Sequence, residues 1–94
     1  MPRKYRIFET ERFLKDLRLL ALSGHQELEE KLCEHVYPQL GTNPHFGLNV
    51  KKLRHFDPPT WRYRVGPWRF FYLIDDDRHL VFMIAASHRK DAYR

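Results

Sequence analysis

Along the first forty or so residues the apolar positions recur with the period of a helix; after residue 47 they alternate as in a strand. Phe13, Leu14, Leu17, Leu20 and Ala21 fall at helix spacing, with Arg12, Lys15, Asp16 and Arg18 opposite them. Thr10 stands where a cap can accept a free first-turn N–H, and Ser23-Gly24 ends the run. A second helix should follow directly. Ser23 and Gln26 have capping-box spacing, Leu28, Leu32 and Val36 form one stripe, and Pro38 ends or kinks the helix. So short a turn predicts an antiparallel helix hairpin, preceded by a short strand over Tyr5 to Phe8.

The segment from Gly41 to Gly47 (GTNPHFG) reads as a loop. Beyond it Trp61, Tyr63 and Val65 alternate with Arg62 and Arg64, Gly66-Pro67 breaks the chain, and Trp68 to Ile74 resumes as an apolar, aromatic strand. Asp75 to Arg78 is a polar turn, and Leu80 to Ala86 is a further strand. A weaker strand is expected around Leu48 to Leu53. The class is α+β: an N-terminal strand and an antiparallel helix hairpin packed on a three- to four-stranded antiparallel sheet. At 94 residues, with no repeat or linker, the chain is one domain over 1–94.

Composition adds a compartment and a partner class. Cys33 is the single cysteine, so no internal disulfide forms, and its simplest role is that of a small buried apolar residue. The basic N-terminus precedes no apolar run of signal-peptide kind, and Leu80 to Ala86 is far short of a membrane span. A soluble, cytoplasmic protein is expected, with no membrane partner. Residues 1–48 carry seven Lys/Arg and seven Asp/Glu, whereas residues 49–94 carry ten and five. The whole net charge of +5 therefore lies in the second half, as suits a polyanionic partner, nucleic acid or an acidic protein.

Two constellations could carry chemistry. With a two-residue loop at Gly66-Pro67, Val65 faces Trp68 and Arg64 faces Arg69, and Arg62 shares their sheet face; a three-residue loop would shift this register by one. Like charges directly opposite destabilise a sheet, and phosphate binding would compensate. The alternative for any one arginine is a solvated basic face. The second constellation is Ser87-His88-Arg89-Lys90-Asp91-Ala92-Tyr93-Arg94. Cleaving RNA through its own 2′-hydroxyl needs a proton acceptor, a proton donor to the leaving 5′-oxygen, and positive charge against the phosphorane. His88 has an imidazole that can take or give a proton, Arg89 holds its charge, and Tyr93 can donate a proton or stack on a base. The other histidines match no metal-ligand spacing, so no metal and no cofactor is expected.

The order of helix hairpin, Trp61-Arg62-Tyr63-Arg64-Val65-Gly66-Pro67-Trp68-Arg69-Phe70-Phe71-Tyr72, acidic turn, apolar strand and His88-Arg89-Lys90-Asp91-Ala92-Tyr93 resembles the RelE/ParE toxin superfamily. The resemblance covers essentially the whole chain. It implies a toxin of a type II toxin–antitoxin system: a ribosome-dependent endoribonuclease that cuts mRNA and inhibits translation, neutralised by a cognate antitoxin. Carried over by position, it implies that Arg64, Arg69, His88, Arg89 and Tyr93 are catalytic and that Arg62 is a basic residue of the same strand. As basic residues of the second half, Lys51, Lys52, Arg54, Arg62 and Lys90 are expected to contact mRNA or ribosomal RNA. Two rivals stand beside it: a ParE-type DNA gyrase poison of the same fold, and a non-catalytic basic domain that binds nucleic acid or protein.

Overall fold

The first helix begins where Thr10 can cap it. In the computed structural model, which describes residues 4–24 and 27–88, the Thr10 side chain accepts a hydrogen bond from the Phe13 N–H and donates one to the Met83 carbonyl. Strand β1 (Arg6–Glu9) thus passes directly into α1 (Glu11–Leu22). Phe13 and Leu20 are buried, Leu17 packs partly against them, and Leu14 stays on the outer side with Leu19 and Leu22. The apolar stripe is therefore one position narrower than the sequence suggests.

The second helix starts later than the Ser23–Gln26 spacing predicts. Ser23 instead closes α1, its hydroxyl donating to the Leu19 carbonyl, and Gln26 lies outside the described residues. Helix α2 (Leu28–Lys31) starts after Glu27, which makes no side-chain cap. It passes through a π-helical turn (Leu32–Val36) into α3 (Tyr37–Thr42). Pro38 explains the wide turn. Its ring has no N–H to donate and needs the space normally held by the carbonyl four residues earlier. The helix therefore distorts before Pro38 and continues beyond it. Leu28, Leu32, Val36 and Leu40 line its inner side, whereas Cys33 is exposed, not buried as its apolar character suggests.

Four further strands complete the sheet: β2 (Val50–Lys52), β3 (Trp61–Val65), β4 (Trp68–Asp75) and β5 (Leu80–His88). The sheet order is β1-β5-β4-β3-β2, and β1 runs parallel to β5. The N-terminal strand is thus a fifth member of the sheet, and the sheet is mixed; the long connection that a parallel pair requires runs through the helical segments and strands β2 to β4. Tyr63, Trp68, Phe70, Tyr72, Val81, Met83 and Ala86 face the helices and form the core with Phe13 and the stripe of the second helix. A bulge opposite the Phe71/Tyr72 junction shifts the register, so Phe71 pairs with Ala85 but Tyr72 with Met83, leaving Ile84 as the extra residue.

Candidate nucleic-acid interface

The two-residue hairpin forms as the alternation requires. Val65 pairs with Trp68 and Arg64 with Arg69. Gly66 has a φ of +55°, and the proline ring fixes a negative φ at the next position. Positive then negative φ is a type II′ turn, in which glycine belongs first and proline fits second.

This turn sets four cations on the sheet face away from the helices. Arg62 and Arg64 alternate with buried Tyr63, Arg69 alternates with buried Trp68 and Phe70, and Lys51 of β2 pairs with Arg62. Arg62 is half-buried, and burial together with the Arg69 and Arg64 charges lowers its pKa. Burying a guanidinium among like charges costs free energy that an anion would offset. Two polar atoms on this face, Arg62 Nε and Ser87 Oγ, are buried without a hydrogen-bond partner among the described residues. Ser87 pairs with Arg69, so both orphaned atoms flank that arginine.

The remaining expected residues divide. His88 pairs with Trp68, and their rings meet edge-on at 6.3 Å between centroids. That contact turns His88 toward the helix side, and the sheet does not bring it together with the arginines. Lys52 points the same way, its ammonium 5.8 Å from the Trp61 ring centroid. Arg54 is exposed in the loop after β2. Arg89, Lys90 and Tyr93 lie outside the described residues. Sequence reasoning gave Lys51 only an RNA contact and passed over Ser87; the register joins both to the cluster. No group of three or more metal-ligating side chains occurs among the described residues, and none of their helices is long and apolar enough to cross a membrane.

A second polar cluster lies at the opposite end of the sheet. The Tyr5 hydroxyl donates to Asp76 at 2.6 Å, and His45 Nε2 lies 3.0 Å from the same carboxylate, beside an open cavity of about 620 Å³ that Trp61 also lines. The Tyr5 bond, helped by His45, holds the Asp76 carboxyl below its ordinary range, and the same bond pushes Tyr5 up to about 12. A carboxylate depressed in the folded state stabilises it above the unfolded value of 3.8, an effect lost as pH falls through the folded value. Asp76→Asn should therefore flatten the fall in melting temperature below about pH 4. An acid limb as steep as in wild type would mean that these contacts contribute nothing in solution.

Comparison with known proteins gives the family and the fold. The family model for the ParE toxin of the type II toxin–antitoxin system parDE matches residues 7–93. The chain is similar to a crystal structure of a RelBE toxin–antitoxin complex from Mycobacterium tuberculosis, at 26% identity and a TM-score of 0.74, covering 97% of each chain. It is similar to a free-state mutant of the E. coli toxin RelE, at 25% identity and a TM-score of 0.64, over 95% of this chain and 87% of that one. A metal-bound toxin from Helicobacter pylori shares the fold at 17% identity and a TM-score of 0.73, over 95% and 99%. A search of curated proteins finds no match.

Proposed function

The chain belongs to the RelE/ParE family of toxins from type II toxin–antitoxin systems, and from that membership we propose that it is a ribosome-dependent endoribonuclease cutting mRNA. Its partner is a cognate antitoxin, as in the solved RelBE complex. The observation that carries the nuclease reading is the cluster of Arg62, Arg64 and Arg69, in which the partly buried Arg62 has an unpartnered Nε and Ser87 Oγ is unpartnered beside Arg69. Such a seat suits a phosphodiester whose negative charge grows as the 2′-oxygen attacks phosphorus.

Arginine cannot carry the protons. The 2′-hydroxyl must lose one, to solvent water, as the P–O bond forms, and the departing 5′-oxygen must gain one as its bond breaks. On the arginine face Lys51 has the transferable proton, and its ammonium is our choice for the donor to the 5′-oxygen. Arg89 and Tyr93 keep the roles that the C-terminal motif gives them, Arg89 on the phosphorane and Tyr93 in proton transfer or stacking. His88, turned to the helix side, is the weakest member of the set.

Primer extension on a defined mRNA in a cell-free translation reaction tests this. Wild type should create new 5′ ends at codon-related positions. Lys51→Ala and Lys51→Arg should both cleave roughly 10²–10⁴-fold more slowly, because a guanidinium keeps the charge but not the proton. Full activity in Lys51→Arg would sink the role of Lys51, and intact mRNA with wild type would sink the nuclease. The separation of His88 from the arginines favours one second reading, a gyrase poison, which needs no acid–base pair. A supercoiling assay on the same preparation identifies it.

A further inference from the structure

We infer that the aromatic half of the open sheet face, built by Phe8, Phe71 and Phe82, is a stacking platform for unpaired RNA bases whose backbone is held by the arginine half. The inference rests on the nuclease reading and extends it to a base-binding subsite. On β4 Arg69, Phe71 and Leu73 share the face away from the helices, while Phe70 and Tyr72 between them are fully buried. Leu73 pairs with Phe82, and Phe82 with Phe8 of β1. The Phe8 and Phe82 rings meet at 5.7 Å, and Phe8 is 56% exposed.

From the Arg64–Arg69–Ser87 row to the Leu73–Phe82 row is four residues along β4, about 13 Å at strand rise. Lys51, Arg62, Arg64 and Arg69 stand on this stretch of the face, and among the described strand residues no carboxylate shares it until Asp75 in the next row. Cations that track a backbone beside rings that receive bases are the two parts of a single-strand binding surface. The acidic turn from Asp75 to Asp77 bounds it, since three carboxylates there repel a further phosphate. An apolar protein segment would use the rings but gain nothing from the neighbouring arginines. An acidic one would do the reverse.

The test uses the full chain and two probes, a short fluorescein-labelled oligoadenylate and an abasic oligomer of the same length, titrated at low salt. Phe8→Ala should weaken oligoadenylate at least about fivefold, as loss of one stacking contact implies. It should leave the abasic oligomer unchanged, and Phe8→Trp should restore affinity. Unchanged oligoadenylate affinity, or equal loss on both probes, overturns the platform and leaves the arginine reading standing. Loss confined to binding of the cognate antitoxin would overturn it in favour of a protein-docking face. If wild type binds neither probe, the arginine reading fails with it.

Discussion

Arg69→Ala should reduce mRNA cleavage by roughly 10²–10³-fold, the usual cost of deleting one charge-stabilising donor from a transition state. Arg69 lies directly opposite Arg64, next to Arg62, and beside Ser87, so its guanidinium is central to the proposed phosphate seat. Its removal also relieves repulsion between like charges facing each other across strands. The melting temperature should therefore hold or rise while cleavage collapses. Activity and stability moving in opposite directions distinguish a functional arginine from a structural one. Wild-type cleavage by Arg69→Ala, read by primer extension, would remove Arg69 from the site.

The second large effect concerns folding. Phe70 is fully buried and packs against Phe13 of α1, with ring centroids 6.3 Å apart. Phe70→Ala should cost about 3–5 kcal/mol, a large share of the roughly 5–15 kcal/mol that holds a domain together. For a chain of this size that lowers the melting temperature by at least about 12 °C. Phe71→Ala, one residue along on the open face, removes the same ring and should cost far less. Thermal unfolding followed by circular dichroism compares the two. Equal losses would mean that the faces of β4 do not alternate as described.

The sequence shows the faces of β3 and β4 because buried and open positions alternate there in kind, arginine against tyrosine or tryptophan. Gly66-Pro67 left the loop length open, and the positive φ at Gly66 decides it. Strand β5 is different. Leu80 to Ala86 is apolar throughout, so its pattern carries no face, and the bulge at Ile84 leaves no mark in it. Were the pairing regular through Ile84, His88 would face the side of the arginines; with the bulge Ser87 does, and His88 meets Trp68. A one-residue shift is enough to move the titratable side chain to the wrong side of the sheet. Cys33 misled for a related reason, since small size and apolar character do not say which side of a helix is inward. The parallel pairing of β1 with β5 joins residues too far apart for any local pattern to reveal.

That pairing also fixes when the molecule becomes whole. Strand β1 is an edge strand that leaves a translating ribosome long before its backbone partner, Leu80 to Met83. Until then β1 and α1 lack the strand on which both pack, and the late-arriving β5 must close the sheet across nearly the full length of the chain. A nascent chain that has not reached β5 therefore has no assembled sheet, and Ser87 is made after Arg62, Arg64 and Arg69. The topology thus delays closure of the sheet until β5 has been synthesised.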